Sequence, residues 1–410
     1  MNIILLLLNI VLSIFGIKHA FKIKSFLIFW WGYILYFAIL YFFYCSFESV
    51  HYFDWSGKSE YVPKSIKQDF FLFITLTNCL IFLSFKLIRK KIPKINFIQS
   101  KLSSKTKIIY LIILLSSFLF LMNNIDYVNY NELTSSDDFG GWGWVFTQLA
   151  FSLVVLAFHK RDYKIIALIL IFSLVYTTIF LIRSIFIYSV FTMLFLYITK
   201  LYYQNISLTR VLKKLVAPIL IIGFFTSLAL NLRGVDIRLP ESKLVNYSII
   251  SYKNSKESNF NLGVNDFKYY YRGILNPFSR FFDKKEELIT SPIYNARIVH
   301  SGDYFFDKFT NFFHYPALFY IQFYLSFGWY GVLLGLVLFH YLFFLERQVR
   351  KNYLTLFLFL PIFGWHSFMI MRGALDYSTS GISYVFWINM IILIIIKNNK
   401  SLYARFTGNK

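Results

Sequence analysis

Charged side chains are scarce in this chain of 410 residues, and their scarcity argues against an ordinary soluble protein. Asp, Glu, Lys and Arg make up 15% of the sequence, whereas a soluble globular domain carries roughly 25%. Cysteines are also few, and Cys45 and Cys79 fall in apolar runs at different depths, so we expect no disulfide. The sequence has no zinc motif, P-loop or dinucleotide fingerprint. We therefore predict neither a cofactor nor a metal site.

Apolar residues are abundant instead. Hydrophobic residues make up 57% of the chain, and aromatic residues 22%. The net charge of +22 does not indicate nucleic-acid binding, because no nucleic-acid-binding module accompanies it. A membrane protein gathers such charge in its cytoplasmic loops. The predicted fold class is all-α, a polytopic bundle of transmembrane helices.

Runs of about 20 apolar residues are long enough to cross a bilayer. The sequence contains about eleven such runs. Their predicted bounds are 1–17, 25–47, 69–88, 108–122, 144–159, 165–182, 184–200, 215–231, 316–341, 353–371 and 382–396.

The distribution of Lys and Arg predicts the orientation. The first run is followed by Lys18, Lys22 and Lys24, which favours an N-terminus on the outer side. Because each span moves the chain to the other side of the membrane, the basic residues around 89–94, 210–214 and 347–351 are then inside. The tail 397–410 is then inside as well.

The stretch 165–199 is ambiguous, because it is apolar apart from Arg183. We interpret it as two spans joined by an outer turn at Arg183–Ser184. A single long span would reverse every later segment and put the basic segments 210–214 and 347–351 outside, against the charge rule.

The domain organisation follows from these spans. Residues 1–231 form about eight N-terminal spans, and 232–315 form a large extracytoplasmic loop. Residues 316–396 form about three C-terminal spans, and 397–410 are a basic tail. Gly273 and Pro277 interrupt the loop's aromatic stretch, so we expect short amphipathic helices lying on the membrane surface.

Arginines on the outer side are the first candidates for chemistry. Arg183 and Arg372 lie beside spans, where an ionisable group is costly and suggests function; snorkelling or turn residues are the simpler alternative. The loop adds Arg233, Arg272, Arg280 and Arg297, together with Arg238. An arginine fork pairs bidentately with phosphate oxygens, so these residues could bind a lipid pyrophosphate and stabilise it as a leaving group.

Histidines are the candidate bases. His300 and His314 lie in the loop, with Asp303 and Asp307 close to His300 in sequence. A histidine near neutral pKa can deprotonate a sugar hydroxyl, although an ordinary structural histidine fits the sequence equally. Gly328, Gly331 and Gly335 recur at helical spacing and predict close helix packing.

Two classes of function compete. A transporter or flippase needs polar groups at mid-depth, and the spans carry almost no charge. An enzyme that acts on a lipid-linked substrate explains the one large outer loop, the outward arginines and the lack of a nucleotide-binding domain.

The layout also resembles a known family, the Wzy-type polymerases of O-antigen and capsular polysaccharide. The resemblance rests on the number of spans, the late large loop, the stretch FYIQFYLSFGWYGVLLGL at 319–336 and MRGALDYSTSG at 371–381. Some members carry Arg followed eleven residues later by Gly. None of the arginines named above has a glycine at that spacing.

The resemblance implies a GT-C-like, inverting glycosyltransferase in the bacterial inner membrane, with a periplasmic N-terminus and a cytoplasmic C-terminus. It would polymerise undecaprenyl-pyrophosphate-linked repeat units, with a chain-length regulator and a flippase as partners. We assign catalysis to His300, Arg183 and Arg280. Pyrophosphate binding is assigned to Arg233, Arg272, Arg297 and Arg372. The alternatives are an O-antigen ligase, which delivers glycan to lipid A core, and a flippase for lipid-linked oligosaccharides.

Overall fold

The computed structural model of the chain is mostly α-helical in the part that it describes. The described residues are 2–45, 49–51, 59–93, 183–202, 206–231, 242–257, 318–371 and 375–399, with residue 204 and isolated positions between 108 and 171. Within these ranges the chain forms two compact units. The first contains Met1–Lys91, Arg238–Phe344 and His366–Ser380; the second contains Ile92–Ile237, Leu345–Trp365 and Gly381–Lys410.

The helices and strands are numbered here in chain order over the described residues. The helices are α1 (Asn2–Ile23), α2 (Ile28–Cys45), α3 (Lys64–Lys86), α4 (Arg183–Tyr202), α5 (Leu208–Asn231), α6 (Ser242–Glu257), α7 (Phe319–Phe327), α8 (Gly331–Val349), α9 (Tyr353–Met371) and α10 (Leu375–Asn398). A single 3-10 turn, Gly328–Tyr330, joins α7 to α8. The strands β1 (Ser49–His51) and β2 (Ser59–Tyr61) pair antiparallel between α2 and α3.

Three of the described helical segments are long and apolar enough to cross a membrane. They are Ile3–Ile23, Lys64–Lys86 and Gly328–Val349. Two shorter apolar segments, Ile28–Phe43 and Phe386–Asn398, accompany them. The described residues are therefore mostly helical, as predicted, and their three apolar helices are compatible with a membrane protein.

The helices α1, α2 and α3 pack closely together in the first unit. Gly16 of α1 lies directly against the indole of Trp31 in α2, where an added Cβ would overlap the ring. The Trp31 ring also stacks on Phe85 of α3, with centroids 6.0 Å apart. Gly16 therefore provides the space that lets a buried tryptophan fill the junction of the three helices.

Side-chain pairs fix the directions of these helices. Asn9 of α1 meets Thr75 of α3, and His19, ten residues further along, meets Ile88 just beyond α3. The helices α1 and α3 are therefore parallel. In α2 the order is reversed, because Trp31 lies near Phe85 and Tyr41 lies near Phe70.

The turn between α1 and α2 lies at the same end of the unit as the end of α3. Lys24 adopts a left-handed conformation (φ 65°), and the Ser25 N–H donates to the Ala20 carbonyl at 2.8 Å, a bond typical of a Schellman-type helix end. Burial and the nearby charge of Lys91 lower the pKa of Lys24. The basic segments that follow α1 and α3 are therefore neighbours, as the predicted topology requires.

The sequence predicts one span over 316–341, and this prediction is wrong. Gly328 has φ +56°, a conformation that glycine adopts freely, and it separates α7 from α8. A Cβ added at Gly331 would overlap the Phe323 carbonyl, so the two helices form a tight hairpin. With nine residues, α7 is about 14 Å long, too short to cross the bilayer.

Two of the three glycines confirm the prediction of close helix packing. Gly331 lies against the backbone of α7, and Gly335 lies against Thr77 of α3. Gly328 has no atom near its missing Cβ, so its role is to allow the turn.

The second unit contains α4 and α5 with parts of the last three helices. The rings of Phe195 and Phe363 meet edge to face at 5.7 Å. The Asn389 amide donates to the Leu358 carbonyl at 2.6 Å. Leu354, Leu358 and Leu393 form a small apolar cluster. The bond from Asn389 shows that a polar side chain can be satisfied inside this apolar packing.

Candidate functional site

The sequence-predicted site residues lie almost entirely outside the described residues. This holds for His300, Arg233, Arg272, Arg280, Arg297 and Arg372. Arg183 is the first residue of α4, while the residues before it, 172–182, are not described. The site that can be built from the described residues is therefore the part of the first unit that holds both ends of the segment 258–317.

Two helices, which we call the loop stems, flank that segment. They are α6, which precedes it, and α7, which follows it. The Leu318 N–H at the start of α7 donates to the Ser248 hydroxyl of α6 at 2.9 Å. The rings of Tyr252 and Tyr324 lie 4.4 Å apart. The two stems are thus packed side by side and run parallel.

The amphipathic surface helices predicted around Gly273 and Pro277 lie outside the described residues, whereas α6, which precedes them, is buried. Residues 244–252 of α6, and also Asn254 and Ser255, are all buried. An amphipathic helix lying on the membrane would keep one face exposed. Instead, α6 is inserted among α2, α3 and α7, with its serine and asparagine side chains inside the protein.

The loop stems pack against α3 along part of its length. Near the start of α3, the ammonium of Lys256 pairs with the carboxylate of Asp69. Tyr252 stacks on Phe70 with centroids 4.7 Å apart. Tyr324 meets Phe73 edge to face at 5.4 Å. Both stems therefore run antiparallel to α3 and end near its beginning.

A buried chain of hydrogen bonds holds the start of α7. The Tyr320 hydroxyl donates to the side-chain oxygen of Asn78 at 2.7 Å. The side-chain NH2 of Asn78 donates to the side-chain oxygen of Asn9 at 2.8 Å. The Asn9 amide in turn donates to the Thr75 hydroxyl at 2.8 Å. We call Asn9, Thr75, Asn78 and Tyr320 the asparagine network. All four residues are buried, and the network joins α1, α3 and α7.

Charged residues gather where the loop stems meet the start of α3. Lys67 is buried, with 1% of its surface exposed, and Lys253 lies 4.0 Å from Glu257. Burial, the neighbouring Tyr324 and the charge of Asp69 raise the pKa of Tyr252, so its phenol stays protonated at neutral pH. Each of the two exposed carboxylates at this end is therefore paired with a lysine of α6.

A separate buried ion pair lies in the second unit. The Arg350 guanidinium bonds the Glu346 carboxylate at 2.9 Å, and both side chains are fully buried. From the sequence, Arg350 is predicted only as part of an inner basic segment. The spacing of four residues between opposite charges was the available signal, because such pairs meet on one helix face.

The asparagine network is not evident from the sequence alone. Asn9 and Asn78 each stand alone within an apolar run. A polar group without a partner is costly in an apolar environment, so each asparagine implied a buried partner. Tyr320 could not be identified as that partner, because it lies 242 residues from Asn78.

Comparisons with known proteins identify no relative of the chain. No family model matches the chain, and neither a curated protein nor a solved structure matches it.

Proposed function

We propose that this chain is a membrane-embedded inverting glycosyltransferase that polymerises lipid-pyrophosphate-linked repeat units into O-antigen or capsular polysaccharide. The observation that carries the proposal is the position of the loop stems. Two buried helices, α6 and α7, connect the predicted outer loop to the helix bundle. Catalytic groups on that loop would then act next to the bilayer, where a lipid-linked substrate presents its pyrophosphate.

The predicted topology of about eleven spans in a GT-C-like bundle is part of this proposal. Phe73 lies near Trp329 and Phe85 lies near Phe339, so α8 runs parallel to α3. Parallel helices require an odd number of crossings between them. If 165–199 contains two spans, the predicted chain crosses the membrane five times between α3 and α8. If it contains one long span, the chain crosses four times. The helix directions therefore support two spans.

The side assignments are likewise supported by proximity. The strand β1, the start of α3 and α6 all belong to segments predicted on the outer face. In the first unit, α6 contacts both β1 and α3. Lys24 and Lys91, both predicted inside, are also neighbours. We place the protein in the bacterial inner membrane with its N-terminus in the periplasm.

The proposed chemistry needs no nucleotide, because the donor carries its own leaving group. An acceptor hydroxyl attacks the anomeric carbon of the donor glycan, and the bond from that carbon to the pyrophosphate oxygen breaks with inversion. His300 takes the hydroxyl proton. Arg183 and Arg280 stabilise the departing undecaprenyl pyrophosphate, and Arg233, Arg272, Arg297 and Arg372 bind the two lipid pyrophosphates.

Deletion of the gene in its host tests the function. We expect the surface glycan ladder to collapse to core plus one repeat unit on a gel. Complete loss of glycan from the core would indicate a ligase or a flippase instead. An unchanged ladder would reject the polymerase for that glycan.

Paired variants test the site residues. We expect His300→Asn to abolish the ladder, whereas His314→Asn, the other loop histidine, leaves it. Alanine at each of the seven assigned positions is compared with Lys284→Ala, which removes another cation of the same loop. Full activity of all seven variants would reject the assignment.

A further inference from the structure

The asparagine network has a fixed direction, which makes it sensitive to the loss of one atom. The side-chain oxygen of Asn78 can only accept a hydrogen bond, so the Tyr320 hydroxyl must donate to it. Each amide then donates to the next acceptor, and the chain ends where the Thr75 hydroxyl donates to the Phe71 carbonyl at 2.8 Å. Hydrogen bonds that follow one another in this way strengthen each other in a low-dielectric interior.

The start of α7 is held from two sides. The backbone N–H of Leu318 is bound by Ser248 of α6, and the side chain of Tyr320, two residues later, is bound by Asn78 of α3. Residues 318–325 are all buried. These two bonds therefore fix the depth at which the chain leaves the segment 258–317.

We infer that Tyr320, Asn78, Asn9 and Thr75 are positioning residues that hold α7, the second loop stem, at the depth needed for glycan transfer. This inference rests on the proposed function. The residues themselves touch no reacting atom: they act through the placement of α7.

The chain offers a matched control for the network. Thr77 is also buried in α3, two residues from Thr75, and its hydroxyl donates to the Phe73 carbonyl at 2.9 Å. That bond stays within one helix, whereas Thr75 connects to Asn9 of α1. Thr77→Val and Thr75→Val therefore remove the same group from the same helix, but only the second breaks the network.

The experiment uses the full-length chain in a strain that lacks the chromosomal gene. Tyr320→Phe, Thr75→Val, Thr75→Ser and Thr77→Val are expressed to matched levels in the membrane. Two quantities are measured: the length distribution of the surface glycan, and the rate at which trypsin added from the outer side cuts the loop.

We expect Tyr320→Phe and Thr75→Val to shorten the ladder. We also expect each to raise the rate of loop cleavage about five- to thirtyfold, the factor that corresponds to one lost buried hydrogen bond. Thr75→Ser, which keeps the hydroxyl, and Thr77→Val should match the wild type in both measurements. A role limited to overall stability would instead affect Thr75→Val and Thr77→Val alike.

Two results would overturn the inference. One is that Tyr320→Phe and Thr75→Val match Thr77→Val in ladder length and cleavage rate. The other is that they fail to accumulate in the membrane, which would assign the network to folding. If gene deletion leaves the ladder unchanged, the proposed function fails by itself, and the cleavage rates still report whether the network positions the loop.

Discussion

The helices α1 and α6 reverse the burial pattern of a water-soluble protein. The 22 residues of α1 are mostly apolar, yet one side exposes large side chains, among them Ile4, Leu7 and Phe15. The shorter α6 is rich in serine, lysine and asparagine, yet it is buried over residues 244–252. In water the reverse is expected. The difference is compatible with lipid around α1 and shows that polar groups of α6 are kept inside the protein.

The largest effect expected from breaking this pattern concerns the ion pair Glu346–Arg350. Glu346→Leu leaves the Arg350 guanidinium buried without that carboxylate, which should cost about 3–5 kcal/mol of the free energy of unfolding. The double variant Glu346→Leu/Arg350→Met should recover most of that loss. Thermal unfolding in detergent micelles measures both. Equal stability of the single and double variants would show that the pair is not desolvated.

An exposed apolar residue at the centre of a span gives the next largest effect. Val337 is 62% exposed near the middle of the span Gly328–Val349. Val337→Arg should cost about 2.5–3.5 kcal/mol if that surface faces lipid. In water the same change would stay within about 0.5 kcal/mol.

The control for Val337→Arg is Tyr330→Arg. Tyr330 is even more exposed, at 78%, but lies at the start of the same span, where a charge can reach the headgroups. Membrane-inserted protein is quantified for both. A stable, fully inserted Val337→Arg variant would contradict the lipid-facing assignment.

Glycine substitutions test the close packing between α7 and α8. Gly331→Ala forces a Cβ into the Phe323 carbonyl, and such overpacking costs about 1–3 kcal/mol. Gly32→Ala meets no atom within 4 Å, so it should leave stability unchanged or raise it by up to about 1 kcal/mol, since alanine favours helix. Similar unfolding temperatures for the two variants would mean that α7 and α8 are not in close contact.

The smallest effect is expected at the water-exposed end of the bundle. Asp69 and Lys256 are 41% and 45% exposed, and ion pairs of this kind contribute about 0–1 kcal/mol. Asp69→Asn should therefore lower stability by less than about 1 kcal/mol, and added salt should reduce the difference. A larger, salt-independent loss would show that this end is shielded from water.

Apolar runs predicted the positions of the first apolar helices well. The prediction 25–47 corresponds to α2, and 69–88 overlaps most of α3. The polar start of α3 was missed because Lys64 to Gln68 do not extend an apolar run. In the structure this turn lies against protein, where Lys67 is buried.

The interior was much less predictable. The turn at Gly328 lies within a continuous apolar run, so hydropathy alone joins α7 and α8 into one span. Because α6 is polar, its sequence resembles a solvated loop helix. Both features have one cause: hydropathy reports how a segment suits lipid or water, whereas α6 and α7 contact mainly other parts of the protein.

The most direct test of the central claim is reconstitution of the purified full-length protein in vesicles with undecaprenyl-pyrophosphate-linked repeat units. The account predicts glycans of two or more repeats and one released undecaprenyl pyrophosphate for each linkage formed. It also predicts that His300→Asn gives neither product. If the wild-type protein, folded and inserted, produces nothing longer than one repeat, it is not a polymerase of that substrate.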